Sequence, residues 1–161
     1  MLKKLSFGVI LLACLVSCKS DTAYNYSQDI AAKENSLGTE ITSINEKVTA
    51  FRALEQWDSI ARVGERMEGL VGAILKEVKD KPAPNVEEGQ NFKDACVRYF
   101  EYRKNIYTGY KNYGRATTPG DRAAELEKMV SVENGMQAEI DNIQSAQNKF
   151  AKANGFRIEG K

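Results

Sequence analysis

From Tyr24 onward, apolar residues recur every three or four positions, and this periodicity constrains the fold more than any other feature of the chain. Such spacing lines one face of a helix, whereas a half-buried strand would alternate every second residue. In the first stretch Ile30, Leu37, Ile41, Ile44, Val48 and Phe51 follow steps of four and three after one longer gap. That is a heptad seam, suited to helices crossing at shallow angles. The seam then loses phase. Continuing it would bring Asp58 and Arg62 inward, while Trp57, Ile60, Val63, Met67, Leu70, Ile74 and Val78 define a new stripe. The chain therefore turns between about 54 and 57 without Gly or Pro, and Asp58 or Ser59 is the expected cap of the next helix.

The segment 80–90 contains Pro82, Pro84 and Gly89 and reads as the clearest loop. Asn91 with Asp94 three residues on has the form of a capped helix start. Phe92, Cys96, Tyr99, Ile106, Tyr110 and Tyr113 share one face of this third helix, and Gly114 fits its C-terminal stop. Thr118-Pro119-Gly120-Asp121 then offers an N-cap, Pro at the first helical position and an acid in the first turn. The fourth helix runs to about Asn154, with Gly155 as a left-handed cap and Phe156 folding back on Phe150. The pattern predicts an all-α protein, an antiparallel up-down-up-down four-helix bundle with helices over about 24–54, 57–80, 91–113 and 119–154.

Ahead of these helices, Lys3 and Lys4 precede an apolar run over 5–16 that ends in Leu15-Val16-Ser17-Cys18. The run is too short to span a bilayer, which takes about 20 apolar residues, and it reads as a secretory signal. Leu15, Val16 and Ser17 before Cys18 resemble the lipobox of a bacterial lipoprotein, whose Cys is acylated and becomes the first residue. Leu11-Leu12-Ala13-Cys14 is a second candidate. Cys18 is favoured because it has the longer apolar run before it and the polar Lys19-Ser20-Asp21 after it. The expected layout is a removed signal peptide over 1–17, the acylated Cys18 with a short tether over 18–23, and the bundle over 24–161.

Charge and composition narrow the function classes. The chain has 23 Lys+Arg against 22 Asp+Glu, and loss of Lys3 and Lys4 with the signal leaves it near balance. No one-sided positive field exists for a nucleic acid. The chain has no histidine, which removes the usual general base and the commonest metal and haem ligand. Neither the Glu-x-x-His motif of di-iron bundles nor the Cys-x-x-Cys-His of covalent haem occurs. With Cys14 removed and Cys18 acylated, Cys96 stays alone on the inner face and reads as an inert small hydrophobe. No cofactor or metal is expected beyond the covalent lipid on Cys18.

Two charges fall where the helical pattern asks for apolar residues. Arg103 sits amid the inward arc of the third helix, and Glu133 occupies a place in the fourth-helix seam Leu126, Met129, Met136, Ile140, Ile143, Gln147, Phe150. Around a loop centred near 116 the two differ by about one turn, roughly 6 Å, which an arginine covers. An Arg103–Glu133 ion pair inside the bundle is expected, with tyrosine hydroxyls such as that of Tyr99, or Gln137, completing the hydrogen bonds. This pair either fixes helix register or lines a polar ligand pocket among the tyrosines; the alternative is that both side chains snorkel to water. Gly64, Gly69 and Gly72 on the second helix are candidates for close backbone approach.

Three segments carry a resemblance to a known group. They are Ser145-Ala146-Gln147-Asn148-Lys149-Phe150-Ala151-Lys152-Ala153-Asn154-Gly155-Phe156, the Phe92-Lys93-Asp94-Ala95 start of the third helix, and Tyr24-Asn25-Tyr26. Together they resemble a family of small helical lipoproteins of Bacteroidota and spirochaetes that has no assigned function. The resemblance implies a lipid-anchored, all-helical protein of the bacterial cell envelope, at the outer membrane, and it carries over no catalytic residue. In an up-down bundle Cys18 and the C-terminus share the membrane end, so Trp57, Tyr113, Arg115 and Arg122 are expected at the opposite tip. The leading expectation is a non-catalytic lipoprotein that meets an unidentified protein or envelope partner through that tip. Small-molecule binding around Arg103, Glu133 and the third-helix tyrosines is the alternative, and a cavity of several hundred Å³ there would favour it.

Overall fold

The computed structural model describes residues 10–158, and it describes the side chains within that range except those of residues 10–19 and Thr39. Lys3, Lys4 and the start of the apolar run lie outside the described residues, as does the side chain of Cys18. Four helices follow one another: α1 Ile10–Ala53, α2 Trp57–Asp80, α3 Gly89–Arg115 and α4 Pro119–Ala153. They pack as an all-α four-helix bundle, and no strand occurs among the described residues. Among those residues no helix is long and apolar enough to cross a membrane.

The helix ends show how each turn is made. Between α1 and α2 no glycine is needed because Glu55 takes the left-handed conformation (φ 53°). Gln56 N–H then bonds the Phe51 carbonyl at 2.8 Å. The N-cap of α2 is Gln56, without a side-chain bond, so the expected cap at Asp58 or Ser59 is corrected: both lie inside the helix, Asp58 in its first turn. The start of α3 is also earlier than 91. Glu88 turns into the left-handed region (φ 59°), and Gly89 begins the helix directly against the Pro84 carbonyl, where a Cβ would not fit.

Gly114 does not stop α3. It lies within the last turn, pressed on the backbone of Trp57 and Ala61, and the absence of a side chain is what allows that approach. The α4 start follows the sequence: Thr118 Oγ1 accepts from the Asp121 N–H at 3.1 Å, and Pro119 follows it. At the other end Gly155 adopts φ 71°, Phe156 N–H bonds the Ala151 carbonyl at 3.1 Å, and the Phe156 ring meets Phe150 edge-on at 5.8 Å. This is the left-handed cap with its apolar contact.

The fully buried centre consists of Phe92, Phe100, Phe150, Ile60, Met67, Val71, Val78 and Cys96. Each large side chain removed from water contributes about 1.5–3 kcal/mol. Packing is uneven around the ring of helices. The α2–α3 pair is the tightest and α3–α4 follows, whereas α1 and α4 scarcely touch. On α4 only Met129, Phe150 and Ala151 are buried, and Leu126, Met136, Ile140 and Ile143 are partly covered. The seam between α1 and α4 therefore stays open.

The stretch 18–23, expected as a tether, is helical and continuous with the rest of α1. Ala23 at its end is fully buried, and Tyr24 packs edge-on against Phe156 at 5.8 Å.

Candidate functional site

The inward face of α3 carries an arginine and a row of tyrosines because 99, 103, 107 and 110 fall at helical spacing toward the open seam. Arg103 does not pair with Glu133. Its guanidinium meets Glu34 of α1 in an ion pair, and Tyr99 Oη joins the two. Arg103 Nε and Nη2 donate to that hydroxyl at 2.9 and 2.6 Å, and the hydroxyl donates to Glu34 Oε1 at 2.6 Å. Glu34 Oε2 is shut off from water and has no hydrogen-bond partner among the described residues. α1 presents Glu34, partly buried, beside Arg103, whereas Glu133 is exposed although α4 packs closely on α3. Gln137 is likewise exposed and donates to Asp141 at 2.9 Å, away from the cluster.

Burial opposes the charge on Arg103, but the contacts with Tyr99 and Glu34 outweigh it and hold its pKa above the ordinary value. Burial, with the Glu34 hydrogen bond, raises the Tyr99 phenol well above its usual range. Burial also raises Tyr107 and Tyr110, the latter helped by nearby Glu133. All these phenols are neutral at physiological pH and act as hydrogen-bonding groups, not as bases.

The cluster divides two spaces along the α1–α4 seam. On the distal side lies a groove of about 930 Å³, with Ile41, Val48, Ile106, Leu126, Met129 and Met136 among its apolar walls. Arg103, Arg52, Tyr107, Tyr110 and Glu133 supply its polar groups. On the basal side Glu34 and Tyr99 border a second space of about 330 Å³, walled by Ile30, Phe92, Phe100, Ile140 and Ile143. Tyr102 fastens α4 to α3. Its hydroxyl donates to the Val132 carbonyl at 2.7 Å, close against Gly135.

At the far tip the structure brings together Trp57, Tyr113 and Arg122. The two rings meet edge-on at 5.7 Å, and Arg122 lies 4.6 Å over the Trp57 ring. Tyr113 is buried and also receives Arg52 at 5.9 Å from its ring. Arg115 is not part of this cluster; it pairs with Glu65 of α2 at 2.9 Å. A small recess of about 360 Å³ is bordered by Glu55, Trp57, Tyr113, Pro119, Arg122 and Leu126. The tip aromatics are thus largely spent on one another.

Glu34 is the site residue that charge and tyrosine content do not reveal. Its signal is the longer gap in the α1 seam: Glu34 lies four residues after Ile30 and three before Leu37, in the place of the skipped apolar residue. Cys96 is completely buried, and burial pushes its thiol up to about 12, so the thiolate needed for nucleophilic attack is not formed. Among the described residues, no cluster of three or more His, Cys, Asp or Glu is placed to hold a metal. Compared with known proteins, the chain matches no family model, no curated protein and no solved structure.

Proposed function

We propose that this chain is a lipid-anchored protein of the bacterial cell envelope that binds an elongated, largely apolar molecule without transforming it. The anchoring half of the reading is supported by Leu15-Val16-Ser17-Cys18 and the short apolar run before it. The binding half is supported by one observation: the open α1–α4 seam holds a groove of about 930 Å³ beside Arg103. Small-molecule sites occupy about 300–1,000 Å³ and combine apolar walls with a few fixed polar groups. Met129 and Met136 give this groove walls that adapt to irregular shapes.

The test is titration of the full chain with N-phenyl-1-naphthylamine, a neutral apolar probe that brightens on leaving water. Val130 lies on the groove and is 47% exposed, so Val130→Lys puts a charge there at little cost to folding. Saturable fluorescence that weakens in Val130→Lys is the expected result. Absence of saturation, or equal binding by the variant, would remove the groove reading.

A second reading, a protein partner at the tip, is favoured by Leu54. This residue of the α1–α2 turn is 67% exposed and stands near Trp57 in the sequence. Crosslinking of the anchored protein in envelopes, with Leu54→Lys as control, tests it.

A further inference from the structure

We propose that the bundle stands directly on the lipid headgroup layer, held there by a helical connection with no slack in it. The surface in contact is the end formed by the α2–α3 loop and the last residues of α4. This inference rests on the reading of Cys18 as the acylated residue.

Cys18 lies within α1, and Ala23, five residues on, is already fully buried in the core. Five helical residues rise only about 7–8 Å. An extended linker of the same length would reach about 17 Å. Tyr24 is fixed as well, through its ring contact with Phe156.

The other elements at this end are tied to α1 and to one another. Lys81 Nζ binds Asp29 Oδ2 at 2.8 Å and lies 5.0 Å over the Tyr26 ring. Asn154 Nδ2 donates to the Glu87 carbonyl at 2.9 Å, which joins the loop to the end of α4. A lipid headgroup layer is about 5–8 Å thick on each side of the hydrocarbon. A Cys whose acyl chains enter the hydrocarbon therefore brings this end of the bundle onto the headgroups.

The contact is one of surfaces, not of insertion. Among the described residues, the exposed large hydrophobics are Leu54, Leu70 and Val130, and none belongs to this end. Exposed Lys152 and Arg157 stand there with exposed Glu87, so charge is mixed and the anchor, not a basic patch, sets the contact. Trp57, the single tryptophan, starts α2 at the opposite tip. The 24 residues of α2 hold it about 36 Å from the base.

The experiment uses the acylated full-length product in vesicles of phosphatidylethanolamine and phosphatidylglycerol that carry a dansyl label on the headgroup. Energy transfer is read from native Trp57 and from Arg157→Trp in a Trp57→Phe background. A further variant of the latter carries a Gly-Ser insertion after Asp21. Transfer from position 157 is expected to be several-fold stronger than from Trp57 and to fall on insertion. Equal transfer from both positions, or no response to the insertion, would overturn the proposal. Intact mass reports on the anchor separately: lack of an acyl mass on Cys18 would defeat the anchoring reading and this inference with it. An acylated chain with weak transfer from position 157 would defeat this inference alone.

Discussion

Arg103 and Glu34 close on each other across the bundle from 69 residues apart in the chain, with the Tyr99 hydroxyl bonded to both. This contact is the main polar link between α3 and the loosely held α1 at mid-height, where α1 has scarcely any contact with α4. It also forms the partition between the distal groove and the basal space. One cluster thus contributes to helix register and to the shape of the site.

Arg103→Met should destabilise the fold because it leaves the Glu34 carboxylate without its cation. Removing one partner of a fully buried pair costs about 3–5 kcal/mol. The Glu34 side chain keeps 31% of its exposure, so a loss of about 2 kcal/mol in urea unfolding is expected. Glu34→Leu added to Arg103→Met should recover most of that loss. A double variant no more stable than Arg103→Met would show that the pair is not what the single change disrupts.

Helix number, order and most boundaries are legible in the sequence because they follow from periodicity and local capping, as at Thr118-Pro119 and Gly155-Phe156. The partner of Arg103 is not. Periodicity places Glu133 and Glu34 equally on inward seams. Proximity of the helices does not decide which of them answers the arginine, since α4 packs closely on α3 and α1 does not. What decides it is that Glu34 is partly buried beside Arg103 while Glu133 is exposed, and that follows from packing across the whole bundle. Gly114 shows the same limit. A glycine near a helix end reads locally as a stop, yet here it serves the contact with Trp57 and Ala61 on another helix.

Gly64 and Gly69 make a paired test of the close α2–α3 packing, since both lie in α2 with opposite surroundings. A Cβ on Gly64 would collide with the backbone of Tyr110 and Lys111, and one on Gly69 would meet nothing. Gly64→Ala should therefore cost about 2–3 kcal/mol through forced separation of α2 and α3. Gly69→Ala should stabilise by about 0.5–1 kcal/mol through reduced freedom of the unfolded chain. Thermal unfolding of the two variants should move in opposite directions; a shared sign would contradict the close approach.

Cys96 should be silent to thiol reagents in the folded protein. It is fully buried, and burial raises its pKa to about 12, so both access and the thiolate are denied. Peptide mass analysis after iodoacetamide treatment should find Cys96 unmodified in buffer and modified in denaturant. Rapid modification in buffer would place the residue outside the core.

Glu68 should give the protein part of its sensitivity to acid. Its carboxylate accepts hydrogen bonds from Lys111 and, at 2.7 Å, from Thr108. The Lys111 hydrogen bond first, and then the Thr108 bond, hold its pKa below the ordinary carboxylate value, against the opposing effect of burial. An acid whose folded pKa is depressed adds stability that is complete above its unfolded pKa, about 4.3 for glutamate. That contribution disappears as the pH falls through the folded value. Glu68→Gln should thus lower stability by about 1 kcal/mol at neutral pH. The gap between variant and native protein should shrink below about pH 4.3 and close once Glu68 is protonated in both states. Urea midpoints measured at a series of pH values test this. A gap that stays constant down to acid pH would mean that Glu68 acts through packing and not through its charge.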